Sequence, residues 1–109
     1  MHNSRPKKIE NLLEIVRTCL RKGKYRDTMH AVKRQKERNI ILPEIIQVLN
    51  TGRHEKGKDR FDEAFNSWNY AIRGLTLDGQ DLRVIISFEE ENDLLIITAF
   101  YLEKRRNTI

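Results

Sequence analysis

The residues best suited to chemistry in this chain are a histidine and two arginines at four-residue spacing, His30, Arg34 and Arg38. Because four residues is close to one helical turn, their side chains share one face of any helix that spans them. An imidazole titrates near neutral pH, and guanidinium groups stay charged and match the geometry of phosphate oxygens. The row is typical both of a site that handles phosphate esters and of an ordinary solvated helix face.

Cleavage of RNA through its 2′-hydroxyl needs a base, an acid and cations around the phosphorus, which His, Lys, Arg and Tyr can supply. His30 falls in the first turn of its helix, where the dipole favours the neutral imidazole that a base requires. Metal catalysis has little support, because the three histidines lack paired ligand spacing and Cys19 is the only cysteine. No glycine loop for phosphate and no Gly-x-Ser-x-Gly motif is present. We therefore expect no metal and no cofactor.

Other basic and aromatic residues extend the candidate site. Arg73 and Arg83 interrupt apolar strands, where a charge must reach solvent, an acidic partner or a ligand. Whether the two arginines share a sheet face depends on the hairpin register. Tyr101 is either a core side chain or a donor to phosphate. The candidate catalytic residues are His30, Arg34, Arg83 and Tyr101. The candidate phosphate- or RNA-binding residues are Lys33, Arg38, Lys56 and Arg73.

Length and composition indicate one globular domain. The chain has 109 residues, of which 34% are charged and 39% hydrophobic. The single cysteine indicates a reducing compartment, and acidic residues near the start interrupt the apolar stretch that a secretory signal needs. No run approaches the roughly 20 apolar residues of a membrane span. We expect a cytoplasmic protein with no membrane association.

The charge is unevenly distributed along the chain. Residues 1–60 contain 16 Lys/Arg and 7 Asp/Glu, whereas residues 61–109 contain 5 and 9, and the net charge is +5. A basic half of this kind provides an electrostatic footprint for a polyanion. Nucleic acid is therefore a reasonable partner.

The first half of the chain predicts two or three helices. Apolar residues recur at helical spacing over residues 8–22. A second helix begins after Asp27 or Thr28, either of which can act as N-cap, and ends near Arg38. A third, short helix covers residues 43–50, with a proline at its start.

The second half predicts an antiparallel meander. Residues 68–77, 82–88 and 94–101 have the composition or alternation of strands, and residues 78–81 form a turn. A weaker strand is predicted near residues 53–58. The last strand is apolar on both faces, so it is either covered on both sides or partly open as a binding floor. The expected fold class is α+β, with two to three N-terminal helices packed on an antiparallel three- to four-stranded sheet.

Two segments resemble a small bacterial domain family of unknown function, whose likeness covers residues 25–102. They are His30-Ala31-x-x-Arg34-x-x-x-Arg38 and Ile96-Ile97-Thr98-Ala99-Phe100-Tyr101. The family is similar in layout to the RelE-like and barnase-like ribonuclease toxins, and its members often accompany small zinc-finger antitoxins. The resemblance implies a ribonuclease site at His30, Arg34, Arg38, Arg83 and Tyr101.

Two departures from the family pattern are visible. Residues 8–24 add an N-terminal helix beyond the family's minimum, which either covers a face or makes a dimer, and residues 1–7 form a flexible basic tail before it. Gln35 stands where relatives commonly have an apolar residue, which thins the buried side of the second helix.

We expect a metal-independent endoribonuclease of the toxin–antitoxin type that acts on single-stranded mRNA and is restrained by a zinc-finger-type antitoxin. The expected oligomeric state is a monomer or a weak homodimer. Two alternatives remain open: a non-catalytic RNA- or protein-binding module on the same fold, and a dimeric interaction protein that uses the first helix.

Overall fold

The computed structural model describes residues 5–89 and 93–102. Ten elements follow one another along the chain. They are α1 (Leu12–Lys22), β1 (Tyr25–Asp27), α2 (Met29–Arg38), α3 (Leu42–Thr51), β2 (Arg53–His54), a 3-10 turn (Lys56–Lys58), β3 (Arg60–Asp62), β4 (Ser67–Leu75), β5 (Asp81–Phe88) and β6 (Leu94–Tyr101). No helix in the described ranges is long and apolar enough to cross a bilayer.

The strands form one mostly antiparallel sheet in the order β1-β6-β5-β4-β2, and β3 also pairs with β4. The one parallel pair joins β1 to β6. The α+β class is confirmed, with three helices and six strands where three or four strands were expected. β1 and β3 have three residues each, which is too short for an alternating pattern to be visible in the sequence.

The helices cover one side of this sheet. Successive side chains of β4 and β5 point to opposite sides of the sheet, so that Ile72 and Val84 point into the core whereas Arg73 and Arg83 point to the other side. α3 packs on these two strands, α2 packs along β6, and α1 packs on α3. The opposite side of the sheet carries no helix in the described part of the chain. We call it the open face.

A β-bulge in β6 decides which of its residues reach the open face. β5 pairs with Thr98 and then with Ile96, so Ile97 is an extra residue that reverses the alternation beyond it. Tyr101 consequently packs against the core, and Phe100 turns to the open face. The last strand is thus packed on one side and open on the other, which is the second of its two predicted arrangements.

Local capping explains where the first two helices begin and end. The hydroxyl of Thr28 accepts the N–H of Ala31, as the N-cap prediction required. α1 ends at Gly23 with a φ of 71°, a left-handed conformation that glycine adopts without strain. α1 begins at Leu12 instead of near residue 8, and the segment before it is attached to the sheet: Trp68 Nε1 donates to the carbonyl of Pro6 at 2.7 Å.

The added helix α1 covers the core. Its inner face buries Leu12, Val16 and Cys19. The Arg17 guanidinium, on the same helix, donates to backbone carbonyls at the end of α3. This is the first of the two roles the sequence offered for the helix. Gln35 is buried as well, but it is not a packing defect, because its amide donates to an Asp27 carboxylate oxygen at 3.0 Å.

Candidate functional site

The open face brings the two strand arginines together. Arg73 of β4 lies directly opposite Arg83 of β5, and Arg83 lies opposite Phe100 of β6. All three residues point away from the core, since their neighbours in sequence are the ones that pack under the helices. The register that the sequence left open therefore places Arg73 and Arg83 on the same face.

A glutamate from outside these strands joins the two arginines. Glu55 follows β2, and its carboxylate accepts from Arg83 Nε at 2.6 Å and from Arg73 Nη1 at 3.3 Å. Arg73 also donates to Asp81, with Nη2 2.5 Å from Oδ2. The hydrogen bond from Arg83 holds the pKa of Glu55 below its ordinary value, and that from Arg73 does the same for Asp81. We call these four residues the ion-pair cluster.

Arg38 reaches the same surface from the end of α2. Its Nη1 donates to Thr98 Oγ1 at 3.1 Å and to the carbonyl of Ala99 at 2.8 Å. Its guanidinium carbon is 5.8 Å from the centre of the Phe100 ring, and that of Arg83 is 5.7 Å from the same ring. Two arginines that are far apart in sequence thus meet at one aromatic side chain, whose ring attracts both guanidinium groups.

His30 lies at the other end of the open face, in a cleft of about 580 Å³. The cleft runs between the start of α2 and the turn that joins β3 to β4, and Leu95 and Ile97 form its apolar floor. Asn69 lines it from β4. Among the described residues, the side chains of His30 and Asn69 make no hydrogen bond or ion pair. Unpartnered polar groups in a cleft are the groups that a ligand can engage.

The cleft and the ion-pair cluster are separate places. Ser87 in the cleft and Arg83 in the cluster are four residues apart on β5, a distance of about 13 Å at the rise of an extended strand. His30 and Arg38 are eight residues apart on α2, about 12 Å along the helix axis. Arg34 lies between them and pairs with Glu37 at 2.8 Å, with both side chains well exposed.

Three predicted site residues lie elsewhere. Tyr101 packs on the core side of the sheet, where burial raises the pKa of its phenol, so it does not share a surface with Arg83. Lys33 lines a different depression, beside Met29 on the outer side of α2. Lys56 opens the exposed 3-10 turn. The grouping of Tyr101 with Arg83 in one catalytic set is therefore not supported by their positions.

Sequence reasoning missed two residues that shape the surface. Glu55 fell in a stretch expected to be a weak strand or a solvated loop, and nothing local marks it as the partner of two arginines. The sequence shows Phe100 as one apolar residue of a strand, since the bulge that turns it outward has no signal in the sequence. Within residues 5–89 and 93–102, no three His, Cys, Asp or Glu side chains gather in a group that could hold a metal ion.

Fold and site together define a small α+β protein with a mostly antiparallel sheet and an open face that carries both arginines and carboxylates. The chain belongs to the DUF4258 family, described as a domain of unknown function, whose model matches residues 28–101. The match begins at the N-cap of α2 and ends with β6, so α1 and β1 precede it. No significant match was found among the curated proteins or among the solved structures. The likeness to ribonuclease toxins is untested by this match and stays a prediction.

Proposed function

We propose that this protein is a metal-independent endoribonuclease of the toxin type that acts on single-stranded RNA. The observation that carries the proposal is the shared surface: one face of α2 brings His30 to the cleft and Arg38 to the Phe100 ring, where Arg83 also lies. A proton-transfer group and phosphate-binding cations on one open surface are what RNA cleavage requires.

In this proposal His30 exchanges a proton with the 2′-hydroxyl or the leaving oxygen, and solvent water exchanges the proton of the other one. Arg34 is the next cation on the same face of α2, about 6 Å further along the helix axis. The ion pair of Arg34 with Glu37 does not prevent phosphate binding, because exposed pairs are worth little and exchange readily. Arg38 is then positioned to hold a phosphate further along the same strand of RNA, and Arg83, which is paired with Glu55, lies beside it at the Phe100 ring.

A second candidate function is a non-catalytic RNA-binding module. It is favoured by the pairing of Arg83 with Glu55 in the ion-pair cluster, because an arginine held in this way is not available to stabilise a transition state beside His30. Because the cluster is also remote from His30, a single phosphate cannot contact both places. In this alternative the open face binds RNA and breaks no bond.

The two functions separate in a cleavage assay on long single-stranded RNA in EDTA. We expect cutting by the unaltered protein, and a loss of at least about 100-fold for His30→Gln, the usual scale for a general acid or base. Arg38→Gln lowers cutting through weaker binding. Lys33→Gln is the matched control, since it removes a charge from the outer side of the same helix, and we expect its activity within about two-fold of the unaltered protein.

The assay is repeated with ribosomes that carry mRNA, so that a requirement for the ribosome does not mask the activity. Intact RNA under both conditions, together with RNA binding that weakens with salt, would overturn the catalytic proposal and leave the binding module. Cutting that His30→Gln leaves unchanged would remove His30 from the mechanism. A zinc-finger-type antitoxin partner is part of the proposal through the family resemblance, and rescue of growth by such a protein is its test.

A further inference from the structure

An aromatic side chain stands at the rim of the cleft that contains His30. Phe65 is 80% exposed, in the turn between β3 and β4. This turn has a defined shape: Asp62 Oδ1 accepts the N–H groups of Ala64 and Phe65, and Asn66 has a φ of 48°. The turn therefore fixes the backbone of Phe65, although the aromatic ring itself faces solvent.

The wall of the cleft beside Phe65 offers hydrogen bonds that the fold does not use. Asn69 presents an amide with both donors and an acceptor, and Ser67 presents a hydroxyl two residues before it. Within the described residues neither side chain has a hydrogen-bond partner. Below them the floor of Leu95 and Ile97 is apolar. A cavity of this size with an apolar floor and a few polar groups suits a flat ring with a polar edge.

The charges around the cleft favour a neutral ligand over phosphate in its interior. Asp62 and Glu89 both line it, and the carboxylate of Glu89 is also paired with Arg26. Two carboxylates repel a phosphate group but not a neutral heteroaromatic ring. The cations that would take the phosphates, Arg34 and Arg38, lie along α2 next to the cleft.

We infer that this cleft is a base-binding subsite, in which one nucleobase of single-stranded RNA stacks on Phe65 and forms hydrogen bonds with Asn69. The inference rests on the proposed function, since it assigns the part of the RNA that binds beside His30. Exposed aromatic rings next to basic surfaces are the usual stacking platforms for unpaired bases. The base in the cleft sets the sequence preference, and its ribose leads the backbone past His30.

Binding of short oligonucleotides tests the stacking. The probes are fluorescent 2′-O-methyl RNA hexamers of adenine, uracil or cytosine, which cannot be cleaved through the 2′-hydroxyl. We expect Phe65→Ala to weaken binding by about ten-fold or more and Phe65→Trp to retain it, as stacking is worth about 1–3 kcal/mol per base. Leu77→Ala is the control, because Leu77 is a comparably exposed apolar side chain in the turn between β4 and β5.

The amide contact is tested by a change of base preference. Asn69→Asp replaces a group that donates and accepts by one that only accepts, which suits the two neighbouring donors of guanine and not the donor–acceptor edge of adenine. We expect the ratio of affinities for hexamers with one central guanine or adenine to move at least five-fold toward guanine. A ratio is used because the added charge weakens all RNA binding.

The outcomes distinguish the inference from the function on which it rests. If the unaltered protein binds RNA but Phe65→Ala and Asn69→Asp change neither affinity nor preference, the base subsite is refuted and the proposed function stands. If no hexamer and no long RNA binds, both are refuted. Binding that depends on Phe65 in a protein that cuts no RNA supports the subsite and refutes the nuclease.

Discussion

The two ends of the open face use polar side chains in opposite ways. In the ion-pair cluster, Arg83 and Arg73 are bonded to carboxylates within the fold, and Glu55 is shared between them. In the cleft, His30 and Asn69 have no partner among the described residues. Charges that are already satisfied stabilise the sheet, whereas unsatisfied groups are available to a ligand.

Arg38 lies between the ion-pair cluster and the cleft, and it is only partly engaged by contacts within the fold. Among the described residues, its Nη1 alone is engaged by the fold, in bonds to Thr98 and to the carbonyl of Ala99. A guanidinium has five N–H donors in a planar fork, so the remaining ones are free to bind phosphate while the first two bonds fix the side chain. An arginine that is oriented by the protein but not neutralised by it is well suited to hold RNA.

The largest expected effect is a loss of stability at the ion-pair cluster. Glu55→Ala removes the acceptor of two guanidinium groups, and the Arg83 side chain is only 13% exposed. We expect the free energy of unfolding to fall by about 2 kcal/mol, as for a lost hydrogen bond to a charged group. Urea denaturation followed by circular dichroism measures it. Glu37→Ala, which breaks only the exposed pair with Arg34, is expected to cost less than about 0.5 kcal/mol.

The same substitution tests whether the cluster arginines are withheld from RNA. Without the Glu55 carboxylate, the net charge of the ion-pair cluster becomes more positive. We therefore expect RNA affinity to rise while stability falls. Equal losses of stability in Glu55→Ala and Glu37→Ala, with RNA affinity unchanged in both, would contradict the distinction between a structural end and a binding end.

The sequence predicts the helices of this protein better than its surface, because helix ends are local events. Thr28 caps α2 and Gly23 ends α1 through contacts within a few residues. The open face depends instead on partners far apart in the chain. Glu55 and Arg83 are 28 residues apart, and no local pattern connects them.

Tyr101 illustrates how one residue can reverse a site prediction. Regular alternation from Leu94, which is buried, puts Tyr101 on the opposite, open face and Phe100 in the core. The extra residue at Ile97 exchanges the two. A bulge of this kind is set by the pairing of β5 with β6, so the single strand gives no sign of it. The positions of His30 and Arg38, which depend only on helical spacing, were predicted correctly as one face of α2.

A smaller effect, on RNA affinity, is expected at Arg38. Arg38→Gln removes one phosphate contact, so RNA affinity should fall by roughly five-fold and the slope of log affinity against log salt should decrease by about one. Lys33→Gln, on the outer side of α2, should leave the slope unchanged. Titrations at several salt concentrations give both values, and an equal change in the two variants would mean that the charge of α2 acts without any specific contact.

The smallest effect is the dependence of stability on pH. Glu55 has a folded-state pKa below its ordinary value of 4.5, because Arg83 stabilises its ionised form. The resulting stabilisation is complete above pH 4.5 and is lost as the pH falls through the folded-state pKa. Glu55→Gln should therefore differ most from the unaltered protein at pH 7 and progressively less as the pH falls through the folded-state pKa, a change smaller than that caused by Glu55→Ala. Thermal melting across this range measures it. A difference that stays constant with pH would mean that the glutamate acts by packing and not by charge, and the contrast between the two ends of the open face would lose its electrostatic basis.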